Sequence, residues 1–407
     1  MMMSWLERDQ TLLLAAYGIR SFIFGYLNII FAIYMGTAGL DAISIGLVIT
    51  AAILFASALS ALVGIAADRY GRKTMILFLA AIIGLSSIAL VLSKEPLVIV
   101  FVGVVGLFAG GPAGGAVLGV LQQVMLADVA SPKSRNSAFA VTFVASSISA
   151  AVGSLFAGLP DLVRLSTNVS NIDSFSPLFI ITAVLSVVYA MVILPVREVR
   201  HAKVSRSIIP RSSSFAAKIS TLSVVDGFGT ALVAPLLSYW FSIAYKVPLN
   251  TIGVLFFAAN LVSAVFYLLG PRIANRVGVV KTIVYTHIPS DILLIIQPLA
   301  PNFLIAAAIH LLRSTTSVLD IPLRQSYIMG VASPEERASV GGFSAFARSI
   351  SSSASPAVSG YMIQVISSAI PFFLSGSLQM ANDIAFYFLF KNTRPPEEAD
   401  HSAQTNP

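Results

Sequence analysis

The stretch HLLRSTTSVLDIPLRQSYIMG, residues 310–330, carries His310, Arg313, Ser317, Asp320 and Arg324 at steps of three, four, three and four. On a helix those steps fall on one face, with Leu311, Leu312, Val318 and Leu319 on the other. An imidazole, two guanidiniums and a carboxylate in one row can hold a charged solute or pass a proton along. Gln325 extends the polar set, and Pro322 loosens the backbone beside Asp320 and Arg324. The plainer alternative is that Asp320 and Arg324 neutralise each other across one turn. Charges recur in other apolar stretches. Asp226, in STLSVVDGFGTALVAP, is a desolvated carboxylate suited either to proton carriage or to a static ion pair with Arg20. Arg20 could equally clamp an anionic substrate. Gln122, Gln123 and Asn260 add neutral polar groups. Arg348 reads as a structural pairing residue. His287, with Asp291 four residues on, reads as a hydrogen bond at a helix kink. Asp383 has no evident partner and receives no role.

The elements holding these groups must cross a membrane. Of 407 residues, 57% are hydrophobic and 11% charged, against about 25% charged in soluble domains. No long polar stretch exists, so aqueous domains can only be small. Twelve apolar runs reach membrane length, at 11–36, 43–66, 74–92, 97–127, 136–158 and 177–196, then 217–243, 249–270, 279–299, 302–330, 338–367 and 370–390. The fold class is therefore an all-α integral membrane protein. It divides into an N-terminal six-helix bundle (1–196), a basic, Ser-rich linker (197–216), a C-terminal six-helix bundle (217–391) and a tail (392–407). An Arg, Lys or Asp at mid-bilayer costs roughly 2.5–3.5 kcal/mol on insertion scales, so the charges above need partners or a water-filled cavity.

With both termini inside, 18 of the 25 Lys and Arg residues fall in inner segments, 3 in outer loops and 4 within spans. That bias places termini and linker in the cytoplasm of a multi-pass plasma-membrane protein. It also accounts for the net charge of +7 without a nucleic-acid partner. There are no cysteines, which excludes disulfides and thiolate chemistry. The start, MMMSWLERDQ, offers no basic region followed by a cleavable apolar one, so no signal peptide is expected. GLFAGGPAGG (106–115) lacks the Lys-Ser/Thr of a phosphate-binding loop and reads as close helix packing or a flexible bend. No metal site, cofactor site or enzyme signature is evident.

The halves repeat. VASPKSRNSAF (129–139) matches VASPEERASVGGF (331–343) at an offset of 202, pairing Arg135 with Arg337 and, further back, Gln122 with Arg324. At an offset of 207, Asp68, Arg69 and Gly71 face Asn275, Arg276 and Gly278. Near-constant offsets argue for a duplicated six-helix unit.

The segment GIAADRYGRKT contains Gly64, Asp68, Arg69, Gly71, Arg72 and Lys73. It resembles the G-x-x-x-D-R-x-G-R-[KR] signature of the major facilitator superfamily, in the loop after the second helix. The resemblance covers the whole chain and implies two pseudo-symmetric bundles working by alternating access. It implies a cavity lined by the first, fourth, seventh and tenth helices, a monomer, and a cytoplasmic gate. In that gate Asp68 sits on the N-terminal end of the eleventh helix near Ala338, while Arg69 and Arg72 pair with acids such as Asp128. Gly64 and Gly71 would permit close packing and a tight turn. The gate set is completed by Arg135, Arg276 and Arg337. The antiporter "GP" motif belongs on the fifth helix, where this chain has only AVGSLFAGLP, which argues against drug antiport.

The resulting expectation is a secondary transporter for a small polar or amphiphilic solute. It has no cofactor, is driven by a proton gradient on Asp226 or Asp320, and exports rather than imports. The alternatives are an uptake permease for an organic anion, a non-transporting sensor or scaffold, and a passive channel. The short linker and tail leave little room for a scaffold's partner-binding domain.

Overall fold

The computed structural model describes residues 8–106, 112–129, 135–198, 213–319, 323–324, 327–328, 331 and 336–392. Asp320 and Gln325 lie outside the described residues. Asp68, Arg135, Arg276 and Arg337 lie in helices, but their side chains are likewise outside the description.

All regular structure among these residues is helical. The order is α1 (Arg8–Thr37), α2 (Ala42–Tyr70), α3 (Arg72–Leu92), α4 (Pro96–Val105), α5 (Pro112–Val129), α6 (Arg135–Phe156), α7 (Leu159–Ser166), α8 (Ser176–Ile193), α9 (Ser213–Val233), α10 (Leu237–Tyr245), α11 (Leu249–Val277), α12 (Val279–Ile296), α13 (Phe303–Thr316), α14 (Arg337–Tyr361) and α15 (Ile370–Phe390). Eight helical stretches among the described residues are long and apolar enough to cross a bilayer, and three shorter apolar helices accompany them. In a bilayer only such internally hydrogen-bonded segments are viable.

Three expected spans are not continuous helices. The fourth is divided between α4, ending before Gly106, and α5. The seventh passes through a 3-10 turn at Ala234–Leu236, because Pro235 supplies no N–H to the ladder. The tenth ends as a helix at Thr316. There the Thr316 hydroxyl bonds the Arg313 carbonyl at 3.2 Å, which also receives the Ser317 N–H at 3.0 Å. Such back-bonding at a run of β-branched residues weakens the helix at the point where it ends. His310 and Arg313 therefore share α13, Ser317 is its C-cap, and Arg324 stands in a separate helical stretch. Residues 317–319 leave the helix, so His310 and Arg313 do not share one continuous helical face with Arg324.

The helices divide into two compact units. The first comprises Met1–Val204 and Ala234–Leu261, the second Ser205–Val233 and Val262–Pro407.

In the first unit α1 packs along α6, α3 along α8, and α2 against α4 and α5. The α1–α6 crossing is backbone on backbone. A Cβ on Gly25 would lie 2.4 Å from the Ala150 carbonyl oxygen, and one on Gly153 2.1 Å from that of Phe22. Small residues at a crossing let two membrane helices approach this closely. Tyr34 packs edge-on against Phe175 and Phe179, with ring centroids 5.3 and 4.9 Å away. α10 also belongs to this unit, burying Trp240 and Phe241. Asp161, on the short helix α7, pairs with Arg164 and accepts the Asn250 N–H at 2.9 Å. That N–H is one of the orphan donors at the start of α11, so Asp161 acts as a cap supplied from a different helix. Asp161→Ala is expected to lower unfolding stability by about 1–2 kcal/mol, read as a lower melting temperature in detergent. An unchanged melting temperature would show that the cap is replaced by water.

In the second unit α9 packs along α14 and α15, and α12 along α15 and α13. α14 is rich in serine, and many of its hydroxyls bond to backbone carbonyls, although the buried Ser359 hydroxyl finds no partner among the described residues. Ser352 and Ser353 bond back to Ser349 and Ile350, and Ser355 donates to the Phe228 carbonyl on α9 at 2.8 Å. Tyr327, Phe386 and Phe390 form the aromatic centre of the core, with Ile283, Leu323 and Val340 around it.

Gly71, between α2 and α3, has φ 94° and ψ 146°; Gly278, between α11 and α12, has φ 91° and ψ 148°. Left-handed φ favours glycine at both corners. The two positions paired at the offset of 207 thus make the same turn.

Candidate functional site

In the second unit, five charged or titratable side chains converge from separate elements. α12 contributes His287 and Asp291 one turn apart, and α15 contributes Asp383. The Asp383 carboxylate is fully buried and held at both oxygens. Arg324 Nη2 donates to Oδ1 at 2.9 Å, and His287 Nδ1 lies 2.6 Å from Oδ2. The Arg324 guanidinium also lies over the Phe386 ring, 4.8 Å from its centroid. Asp291 Oδ1 is 3.7 Å from His287 Nδ1. From α13, Arg313 is near enough to Asp291 to interact electrostatically, and His310 is buried on the same helix.

This cluster alters three expectations. Asp383, assigned no role, anchors it. His287 bonds across to another helix and not merely at its own kink. Arg324 pairs with Asp383, a partner fifty-nine residues away in sequence. The only sequence signal was the spacing of His287 and Asp291 within a span.

Asp226, buried on α9, forms an ion pair with Arg348 of α14, beside the crossing where a Cβ on Gly227 would lie 2.6 Å from the Arg348 carbonyl oxygen. The static pair is therefore made within the second unit, by Arg348. Arg348 stays partly exposed, at 43%.

In the first unit Arg20 projects from α1 with its guanidinium 5.1 Å from the centre of the Tyr17 ring. It lines a small recess with Phe24, Leu118, Ser186 and Tyr189. Glycine at 119 makes the space, since a Cβ there would meet Arg20 Nη1 at 2.5 Å. Among the described residues, the buried hydroxyls of Tyr17 and Tyr189 have no hydrogen-bond partner. Gln122 is fully buried on α5, and neither end of its amide finds a partner among them. Gln123 is exposed. Asn260 was expected among these polar lining groups, but its Nδ2 donates to Ser154 Oγ at 3.3 Å and to the Phe256 carbonyl at 2.8 Å. One bond thus ties α11 to α6, and the other returns to a carbonyl of its own helix.

The signature loop holds together the polar end of the first unit. Arg72 Nη1 meets Asp128 at the end of α5, and the Arg72 backbone N–H donates to Glu198. Glu198 follows α8 and covers the N-terminus of α3, where a carboxylate is favoured. Lys73 Nζ donates to the Leu194 and Val196 carbonyls at 2.8 and 3.3 Å, completing the C-terminal end of α8. Arg69 is exposed, over the Tyr70 ring. Gly64 is exposed as well, and a Cβ there would meet nothing within 4 Å among the described residues. The close packing expected at Gly64 is absent from them. Glu198 is the member of this network that the sequence reading missed.

The model of the Major Facilitator Superfamily matches the chain in two consecutive stretches, residues 13–218 and 219–407. A Saccharomyces cerevisiae protein described as an uncharacterized membrane protein, YJR124C, is 20% identical over 422 residues, covering 94% of each chain. Among solved structures, the nucleoside transporter NupG is similar with a TM-score of 0.72 at 16% identity, covering 95% of this chain and 100% of that one. The inward-open xylose transporter XylE from E. coli gives 0.72 at 12% identity, covering 97% and 99%. The human organic anion transporter MFSD10 gives 0.65 at 14%, covering 93% and 99%. At these identities the likeness is one of fold, and the expected twelve spans are consistent with it. The chain belongs to the Major Facilitator Superfamily and is a multi-pass membrane protein with the all-helical fold of its secondary transporters.

Proposed function

We propose that this protein is a proton-coupled secondary transporter moving a small polar or amphiphilic solute by alternating access, with export as the working direction. The observation that carries the reading is the burial of charge inside both units: Arg20 among tyrosines in the first, and the Asp383–Arg324–His287 cluster in the second. Each intramembrane charge costs several kcal/mol, and such groups mark solute and proton pathways. A guanidinium beside the Tyr17 ring and the Tyr189 side chain suits an anionic or hydroxyl-rich solute. On this reading 1–196 and 217–391 are the two bundles, 197–216 is their cytoplasmic linker, both termini are cytoplasmic, and the membrane is the plasma membrane. The Arg72–Asp128–Glu198 network, with Asp68, serves the cytoplasmic gate.

Purified protein in liposomes, given an imposed pH gradient and labelled nucleosides, pentoses and organic anions in turn, tests this. One class should move saturably with the gradient. Arg20→Ala should cut that flux about ten- to hundred-fold, the loss expected when a charged hydrogen bond to the solute is removed. No saturable flux of any class, or flux indifferent to the gradient, would sink the proposal.

A further inference from the structure

The proton site itself is identifiable, given the transporter reading above. We propose that it is the carboxylate of Asp291, in the interior of the second unit, sharing its proton with Asp383 and His287.

Three observations place it there. First, the candidate atoms of His287, Asp291 and Asp383 lie within 4.8 Å of one another, and all three residues are buried. Second, Asp383 is already engaged, with Arg324 on one oxygen and His287 on the other. Third, Asp291 is 0% exposed, and among the described residues neither of its oxygens receives a hydrogen bond. A buried carboxylate with no donor is costly, and two carboxylates this close do not readily both stay ionised. A proton supplies what is missing. It forms one O–H bond on Asp291, which then donates toward the Asp383 carboxylate in the manner of a shared-proton dyad. The proton arrives from water on one side of the membrane and returns to water on the other. No other bond forms or breaks, and the cluster's charge changes by one.

The groups acting on Asp291 are His287 on its own helix, Asp383 from α15 and Arg313 from α13; Arg324 joins the cluster through Asp383, and His310 lies within electrostatic reach of Arg313. Two guanidiniums are already present. A divalent ion would add two further positive charges to a desolvated site, and Ca2+ and Mg2+ in addition require six or more oxygen ligands. A single proton adds one charge and needs one oxygen. Asp226 is the poorer carrier, because Arg348 already supplies a permanent cation at its carboxylate.

The test needs no transported solute. Infrared difference spectra are recorded on full-length protein in lipid bilayers as pH is stepped between about 8 and about 5, the range in which a shared carboxylate–imidazole proton would exchange. Wild type should show a carboxylic-acid C=O band that appears and disappears reversibly. Asp291→Asn should lose it, Asp226→Asn should keep it, and His287→Gln should shift its midpoint. Asp291→Glu, which retains a carboxyl group, should keep the band if Asp291→Asn does not fold. Absence of the band in wild type, or its survival in Asp291→Asn, would overturn the assignment. Loss of the wild-type band on adding Zn2+ or Na+ at fixed pH would overturn it in favour of a metal ion. A titrating band without flux of any solute class would sink the transport reading alone, and pH-driven flux without the band would sink this one alone.

Discussion

Asp383→Ala lowers the unfolding stability of the protein by roughly 3–5 kcal/mol, the range observed when one partner of a buried ion pair is removed. The transfer energy of the lost side chain is not the cause, since a carboxylate contributes little by burial. The cost falls on what stays behind. Arg324 would keep its charge over the Phe386 ring without the carboxylate oxygen it now reaches at 2.9 Å. His287 would lose its partner at 2.6 Å. Denaturant or thermal unfolding in a mild detergent measures the effect. The double variant Asp383→Ala with Arg324→Met should recover part of it, because the two opposite charges are removed together and only the His287 contact stays broken. A single variant within about 1 kcal/mol of wild type, the range of an exposed pair, would mean that the pair is solvated. A double variant no better than the single would mean that Asp383 acts through packing.

Gly153→Val is expected to cost at least about 3 kcal/mol, the upper end for overpacking a well-filled core. At most crowded positions a neighbouring side chain can rotate away. Here the obstruction is the Phe22 backbone, with its carbonyl oxygen 2.1 Å and its carbonyl carbon 2.9 Å from the added Cβ. α1 and α6 must separate, and dispersion contacts along the whole crossing weaken together. Gly25→Ala meets the Ala150 backbone in the same way. The double variant should cost less than the sum of the two singles, since the helices need to part only once. Arg20 stands two residues from Phe22 on α1, so solute flux should fall further than the melting temperature alone explains. Gly64→Ala is the control. Its Cβ meets nothing described within 4 Å, and replacing an exposed helix glycine with alanine should be neutral or stabilising by up to about 1 kcal/mol. If Gly153→Val melts with wild type, the α1–α6 crossing is looser than its geometry.

Much of this was readable along the chain. The apolar runs, the skewed Lys and Arg count and the echo between the halves identify a duplicated membrane bundle. Gly71 and Gly278 pair by offset, and both corners take the same left-handed turn. These features are local, or set by a solvent that acts on every residue alike, so composition and spacing are enough to reveal them. Continuity of the helices was less legible. Hydropathy cannot distinguish a straight span from one ended at Thr316 or turned at Pro235, because hydroxyl back-bonding and a missing N–H leave the apolar count unchanged.

The pairing of charges lay beyond the sequence. A buried ion must find a counter-ion, but a twelve-span chain offers many, and the eventual partner is whichever helix packs alongside. Asp383 looked solitary because its partners stand 96 and 59 residues away. The sequence offered Arg20 as the partner of Asp226, and packing of α9 on α14 supplied Arg348 instead. The assignment of Ala234–Leu261 to the first compact unit, tied by Asp161 to Asn250, likewise had no local signal. Sequence determines which groups cannot be left alone in a membrane; only the side-by-side arrangement of helices, set by backbone approach at residues such as Gly25 and Gly153, determines which of them meet.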